Sequence, residues 1–135
     1  MIGNAKIFTE RAEETERHVL EALRLSPRDT YAYTWMQTAG AANLLLGRDE
    51  EAAAWLLRSI DANRNHTFSH FFLASTRAHL GGMSEARAAT KAGLAFNPTF
   101  TIRRYRAGAF SDNPTYLAQR ERIYDGMRKA GVPEG

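Results

Sequence analysis

Apolar and polar positions recur along this chain with the period of an α-helix. Over residues 4–25 apolar side chains return every three or four positions and share one helix face, while glutamates and arginines take the other. The same spacing returns over residues 29–46, 49–63, 67–80 and 84–97, and glycine, asparagine or proline stands where each segment ends. The sequence therefore predicts an all-α protein.

Two helix pairs within this pattern are near copies of each other, displaced by 34 residues. A fixed period of this length, with a glycine turn between helix-forming segments, indicates stacked helix–turn–helix units. Small residues at facing positions let two antiparallel helices approach closely, so we expect Gly40 to face Ala52, and Ala74 to face Ala86. The matched pairs are Gly47 with Gly81, Glu51 with Glu85, Ala52 with Ala86, Ala54 with Ala88, Ile60 with Leu94 and Asn63 with Asn97.

The chain after residue 98 departs from the repeat. Residues 101–109 predict a short helix with three arginines. Asn113 and Pro114 supply an N-cap and a first-turn proline for a last helix, which Gly131 ends. An end unit must cover the open apolar face of a stack, so we expect these divergent helices to cap the array.

The matched positions resemble the tetratricopeptide repeat (TPR), in which small residues, a turn glycine, an alanine and a terminal proline recur in each helix pair. These positions fall on Gly40, Gly47 and Ala52 in repeat one and on Ala74, Gly81, Ala86 and Pro98 in repeat two. The chain departs from the family pattern at Met36, Asn43, Arg64, His70 and Arg77. The resemblance implies a TPR-like superhelical array of antiparallel helix pairs, about seven helices with a C-terminal capping helix. Within this single domain we assign residues 4–27 to a partial first repeat, 29–64 to repeat one, 67–98 to repeat two and 101–131 to the capping helices.

The end of the chain is also similar to the ends of bacterial proteins in which such repeats follow an adenylate/guanylate cyclase catalytic domain or a winged-helix DNA-binding domain. The similarity lies in residues 96–101, 110–114 and 126–134. It implies a regulatory appendage of a signalling protein, whose catalytic or DNA-binding partner is not among these residues.

The family resemblance further implies a groove, lined by the first helix of each pair, that binds an extended peptide or a partner helix through apolar and aromatic anchors. Phe68 and Phe71 have an equally favoured alternative, which is packing on the C-terminal helix or on a second copy of the chain. Thr38 and Phe72 stand where the chaperone-binding members have asparagine, so we do not expect binding of chaperone tails. The groove positions are Thr34, Gln37, Ala41, Leu44 and Leu45 in repeat one, and Phe68, Phe71, Ser75, Ala78 and His79 in repeat two.

Composition excludes several kinds of site and segment. The 135 residues contain no cysteine, which excludes disulfides, thiolate nucleophiles and cysteine-ligated zinc. The longest apolar run, residues 39–46, is far shorter than the about 20 residues of a membrane helix, and the N-terminus lacks the pattern of a signal peptide. We therefore expect a cytoplasmic protein with no membrane partner.

Positive charge is concentrated in the second half of the chain. Residues 67–135 contain 10 lysines and arginines against 5 acidic residues, whereas residues 1–66 contain 8 against 10. Such asymmetry attracts acidic partners or nucleic acid. A dedicated nucleic-acid surface is denser in charge, so a solvated surface is the favoured interpretation and nucleic-acid binding an alternative. A further alternative is a homodimer that forms through exposed phenylalanine and tryptophan side chains of the incomplete first repeat.

Few residues along the chain are candidates for metal binding or catalysis. His66 and His70 have a spacing that can bind a metal on one helix face, but His66 precedes the helix and no acidic third ligand lies in phase. The sequence has no phosphate-binding glycine loop, no HExxH pair and no serine elbow. We expect a binding module that is not an enzyme and that uses neither a cofactor nor a metal.

Overall fold

A computed structural model describes residues 2–26, 31–109 and 112–135, and for residues 2–12 only the helical backbone. This part of the chain contains seven α-helices and no β-strand: α1 (Ile2–Leu25), α2 (Ala32–Leu45), α3 (Asp49–Ala62), α4 (Thr67–His79), α5 (Met83–Phe96), α6 (Ile102–Ala107) and α7 (Pro114–Lys129). The prediction of an all-α array is confirmed. Residues 27–30, where repeat one was predicted to begin, and residues 110 and 111 of the tail lie outside the described residues.

The helices form hairpins that stack side by side. α2 packs against α3, α4 packs against α5, α3 packs against α4, and α1 lies against α2. Close approach within the first hairpin depends on Gly40, because a Cβ atom there would lie 2.7 Å from Cγ of Leu56. Ala52, Ala74 and Ala86 are completely buried. The small residues that recur in phase therefore lie inside the stack, as their spacing predicts.

The two repeat turns end their first helices with the same backbone cap. Gly47 and Gly81 have φ angles of +75° and +85°, a left-handed conformation that glycine adopts without strain. In the first turn, the Gly47 N–H donates to the Leu44 carbonyl at 3.1 Å and the Arg48 N–H donates to the Asn43 carbonyl at 2.9 Å. This is a Schellman motif, and equivalent bonds surround Gly81. The turn itself therefore requires the glycine that marks each repeat.

Replacing Gly81 by alanine is expected to lower the free energy of unfolding by about 1 kcal/mol, because alanine is strained in the left-handed region. An added Cβ atom meets no other atom within 4 Å, so the loss is conformational. Chemical denaturation measures the difference. The matched control is Gly82→Ala, since Gly82 has a φ of −84° and its nearest neighbour is the end of the Glu85 side chain, which can rotate away. A loss of equal size in both variants would rule out this explanation.

Two apolar clusters hold the array together. The larger cluster joins both hairpins to α7, and at its centre the Phe71 ring stacks on Phe100 with 3.8 Å between centroids. The smaller cluster attaches α1 through Leu23 to Trp55 of α3. The Trp55 indole N–H also donates to the Glu16 carboxylate at 3.0 Å. The partial first repeat is therefore part of the same stack.

The last helix turns back over the array. α7 packs mainly against α4 and also contacts α2, α1 and α6, so it covers the side lined by the first helix of each repeat. The residues after α7 run to α6, where the Pro133 and Glu134 carbonyls accept the Ile102 and Arg103 N–H groups at 2.9 Å. First-turn N–H groups have no partner within their own helix, so the C-terminal residues cap α6. The predicted capping helix thus lies along the predicted ligand groove.

Candidate partner-binding surface

The contact between α4 and α7 is close and polar. The Ser75 hydroxyl donates to the Ile123 carbonyl at 2.9 Å, and His79 Nε2 donates to the Arg122 carbonyl at 2.7 Å. Gly126 lies against the same two side chains of α4. A Cβ atom at Gly126 would overlap the Ser75 hydroxyl and would lie 2.7 Å from the Ser75 carbonyl oxygen. α7 can therefore dock on α4 because it presents bare backbone at this point.

An ion pair fixes α7 to the start of α3. Arg122 donates two hydrogen bonds to the Asp49 carboxylate, 2.7 Å from Nη1 and 2.6 Å from Nη2. Only 12% of the Asp49 side chain is exposed, so solvent screens this pair less than a surface pair. The hydrogen bonds to Asp49 raise the pKa of the Arg122 guanidinium above its ordinary value. The pair holds α7 above the turn that contains Gly47.

The ten predicted groove residues lie at different depths. Leu44, Phe71, Ser75 and Ala78 are buried, Thr34, Gln37, Ala41, Leu45 and His79 are half-buried, and Phe68 is exposed. Phe71 packs inside the chain on Phe100, while Ser75 and His79 bond to α7. Binding of a partner by these positions stays a prediction. Phe68, with 39% of its surface exposed, is the position most open to solvent.

Gln37 of α2 is linked to the start of α4. His66 Nε2 donates to the Gln37 side-chain oxygen at 2.9 Å, and the imidazole packs edge-on against Tyr33 with 4.9 Å between centroids. Burial, and then the charge of nearby His70, lowers the pKa of His66 below its ordinary value. The lowered pKa favours the neutral imidazole, whose hydrogen bond ties the start of α4 to α2. The Phe68 ring centroid lies 6.3 Å from the His66 ring.

An open cleft lies beside Phe68, between α4, α6 and α7. Its volume is about 320 Å³, at the small end of the range for ligand pockets. Phe68, Phe100 and Tyr105 form an aromatic wall, in which the Phe68 and Phe100 centroids are 5.9 Å apart. Arg104 and Arg120 also line the cleft. It therefore combines aromatic surface with positive charge.

Arg120 is a buried cation in this cleft, with 5% of its surface exposed. Its nitrogens donate to neutral oxygens: Nε to the Tyr124 hydroxyl at 2.5 Å, Nη1 to the Tyr116 hydroxyl at 2.7 Å and Nη2 to the Tyr105 carbonyl at 2.6 Å. The guanidinium carbon lies 4.0 Å from the Tyr105 ring centroid, a favourable cation–π distance. Within the part of the chain that the structure describes, no carboxylate pairs with Arg120.

Arg120 is charged at neutral pH, as arginine side chains in proteins are. Burial works against the charged form, but the influence of Tyr105 and the hydrogen bonds to Tyr116 and Tyr124 outweigh burial and raise the pKa of the guanidinium. Burial also raises the pKa of the Tyr105 phenol. Arg120 was not among the predicted site residues. The four-residue spacing of Tyr116, Arg120 and Tyr124, which places all three on one helix face, is the signal that could have identified it.

No protein-family model matches the chain, and no curated protein is significantly similar to it. Among solved structures, the crystal structure of MamA, a TPR-containing protein, is similar with a TM-score of 0.55. The sequences are 18% identical, and the match covers 94% of this chain and 76% of MamA. The fold is TPR-like. In this TPR-like fold the hairpins α2–α3 and α4–α5 are the predicted repeats, whereas Arg104 and Arg120 come from the divergent helices α6 and α7.

Part of the positive charge at the end of this TPR-like array is already paired. Arg106 bonds to the Glu121 carboxylate at 2.9 Å. Arg128 bonds to Asp125 at 2.8 Å and to Glu134 at 2.7 Å. Among the described residues, Arg103 and Arg104 of α6 make no ion pair. The unpaired charge of α6 therefore lies on these two side chains, of which Arg104 lines the cleft.

The histidines considered as metal ligands each use Nε2 in a hydrogen bond. His70 donates to the Arg64 carbonyl at 2.8 Å, and His66 makes the bond to Gln37 described above. Within residues 2–26, 31–109 and 112–135, no three histidine, aspartate or glutamate side chains come together as a metal ion would require. In the same ranges no helix has the length and apolar character needed to cross a membrane.

Proposed function

We propose that this chain is a protein–protein interaction scaffold that binds a peptide or a segment of a partner protein at the cleft beside Phe68. A TPR-like stack supports a binding role, because repeat arrays present extended surfaces to partners. The observation that supports the proposal most strongly is the exposed Phe68 ring at an aromatic cleft. Aromatic side chains that a partner can bury completely are typical binding hot spots.

The proposal divides the ten predicted groove positions into two groups. Phe68 contacts the partner directly, because its ring is exposed beside the cleft. The other nine are buried or half-buried. Of these, Ser75 and His79 bond to α7, and Phe71 packs inside the chain on Phe100. A longer ligand along α2 and α4 would require α7 to move away from Ser75 and His79.

We further propose that the chain is the regulatory tail of a bacterial signalling protein of the cyclase or winged-helix type. The similarity of residues 96–101, 110–114 and 126–134 to the ends of such proteins supports this context. All three segments adjoin or overlap α6 or α7, the helices that provide Arg104 and Arg120. The DNA upstream of the gene tests the context. An in-frame cyclase or winged-helix domain would support it, and an unrelated reading frame would argue against it.

The binding surface is tested by comparing three forms of the chain in pull-downs analysed by mass spectrometry. Phe68→Ala removes the proposed anchor, and Leu57→Ala is the matched control because Leu57 of α3 is 41% exposed. We expect the wild type and Leu57→Ala to retain the same partner, and Phe68→Ala to bind it more than about tenfold more weakly. Equal retention by all three forms would show that the partner binds elsewhere.

Exposed leucines on α1 favour homodimerisation as a second candidate. Leu20 and Leu25 are 50% and 67% exposed, and exposed apolar side chains can dock a second copy. The predicted aromatic side chains are not what supports it: residues 4–27 contain no tryptophan, and the side chain of their phenylalanine, Phe8, lies outside the described residues. Trp55 of α3 is buried against α1, and Trp35 of α2 is half-buried. Light scattering over a range of concentrations decides the question. A mass that rises above 15.1 kDa supports a dimer, and a constant monomer mass excludes it.

A further inference from the structure

We propose that the cleft between α4, α6 and α7 is a carboxylate-binding subsite, which accepts an aspartate or glutamate side chain of the partner next to an apolar residue. This assignment rests on the proposed binding function and adds the chemistry of the ligand. In it, Arg120 binds the carboxylate, Arg104 adds positive charge, and Phe68 contacts the neighbouring apolar side chain.

Arg120 carries a charge that its surroundings in the described residues do not neutralise. The side chain is 95% buried, since 5% of its surface is exposed, and its hydrogen-bond partners are two hydroxyls and a carbonyl. Neutral oxygens satisfy N–H groups but supply no negative charge, and a buried charge without a counter-charge is unfavourable. The Tyr105 ring offsets part of this cost. A carboxylate in the cleft would supply the counter-charge where water screens it little.

The Arg120 guanidinium has donors left for a ligand. An arginine side chain has five N–H groups, and the bonds to Tyr105, Tyr116 and Tyr124 use one group on each nitrogen. One N–H therefore remains on Nη1 and one on Nη2. Two donors on adjacent nitrogens match the two oxygens of a carboxylate.

The aromatic wall determines what can lie beside the carboxylate. The Phe68 ring is 5.9 Å from Phe100 and 6.3 Å from Tyr105 between centroids. A volume of about 320 Å³ accommodates side chains, not a complete helix. The cleft therefore selects an acidic residue next to an apolar one on an extended segment.

Two blocked peptides test the subsite on the full chain. One peptide alternates glutamate with leucine and has an acetylated N-terminus and an amidated C-terminus, so that side-chain carboxylates are its only charges. The other has glutamine in place of glutamate. An NMR titration gives Kd and follows the Arg120 Nε–H signal. We expect the glutamate peptide to bind at least about tenfold more tightly and to shift that signal. Equal Kd values for the two peptides would overturn the assignment.

Two arginines of α6 provide a matched pair of variants. Arg104 lines the cleft, whereas the Arg103 side chain lies against Gly135, and both are exposed. We expect Arg104→Gln to weaken binding of the glutamate peptide by about threefold and Arg103→Gln to leave it unchanged. Equal weakening by both variants would indicate general charge attraction and overturn a specific subsite.

Arg120→Met removes the charge and keeps the length of the side chain. We expect this variant to bind the glutamate and glutamine peptides equally, with an unchanged far-UV circular dichroism spectrum. A retained preference for glutamate in the folded variant would overturn the role of Arg120. If the variant does not fold, the two peptides and the two α6 variants still decide between the outcomes.

Two further comparisons distinguish the carboxylate subsite from a nucleic-acid site and from the proposed partner-binding function. A single-stranded DNA oligonucleotide that displaces the glutamate peptide and produces the same Arg120 shift would assign the cleft to nucleic acid, and so overturn the carboxylate subsite. If Phe68→Ala loses the cellular partner while both peptides bind alike, the subsite fails and the proposed function stands. If the glutamate preference holds while partner capture is independent of Phe68, the subsite stands and the proposed surface fails.

Discussion

Replacing Phe71 by alanine is expected to lower the free energy of unfolding by about 3–5 kcal/mol. The Phe71 side chain has no exposed surface, and its ring stacks on Phe100 at 3.8 Å. On another side it lies over Gly93, where a Cβ atom would be 2.8 Å from Phe71 Cζ. Alanine would leave a cavity where α4, α5 and the segment before α6 meet, and helices on both sides cannot collapse into it. Guanidinium denaturation of the purified variant measures the loss.

Phe68→Ala is the matched control for this prediction, because it removes the same ring from an exposed position of the same helix. We expect it to lower the free energy of unfolding by about 1 kcal/mol or less. Both phenylalanines belong to the predicted groove, so the pair separates stability from binding. Phe71→Ala should affect folding, and Phe68→Ala should affect the partner. Comparable losses of stability in the two variants would contradict a buried Phe71 and an exposed Phe68.

Gly126→Ala is expected to lower the free energy of unfolding by about 1–3 kcal/mol through overpacking. The sign of the change in stability is informative, because replacing glycine by alanine on an exposed helix raises the free energy of unfolding by about 1 kcal/mol. At Gly126 the added Cβ atom would overlap the Ser75 hydroxyl and lie 2.7 Å from the Ser75 carbonyl oxygen. The second atom is backbone and cannot rotate away, so α7 must shift from α4. The bonds from Ser75 to Ile123 and from His79 to Arg122 should weaken together.

Gly108→Ala is the control for Gly126→Ala. Gly108 has a φ of −87°, which alanine adopts, and its added Cβ atom would meet only the Tyr105 carbonyl oxygen at 3.5 Å, an ordinary contact. We expect Gly108→Ala to change stability by less than about 0.5 kcal/mol. A stabilising effect of Gly126→Ala in the same denaturation assay would mean that α7 does not lie on α4.

The repeats could be predicted from sequence because their determinants are local. Gly47 and Gly81 are required by their own turns, and Gly40 is required by one contact with Leu56, so each leaves a mark at a fixed period. The similarity to MamA supports the same fold. The helix boundaries followed from the same glycines and from the apolar spacing between them.

The arrangement around the candidate site could not be predicted in the same way. α7 packs its apolar side chains Ile123, Tyr124 and Met127 into the larger cluster, but its register on α4 is fixed by backbone contacts, which leave no periodicity in the sequence. For this reason the sequence offered an open groove and a groove covered by the C-terminal helix as equal alternatives and could not decide between them. Arg120 was missed for a related reason. A charged residue between tyrosines resembles a solvated helix face, and its burial depends on α6 packing beside α7.

Docking of α7 on α4 is the claim on which the cleft, its exposed phenylalanine and its buried arginine all depend. A nuclear Overhauser experiment on the full chain tests it most directly. The structure predicts cross-peaks from the Gly126 Hα protons to the Ser75 Hβ protons and to the His79 ring. Cross-peaks of α7 that remain within the helix or reach only α6, with none to α4, would contradict it.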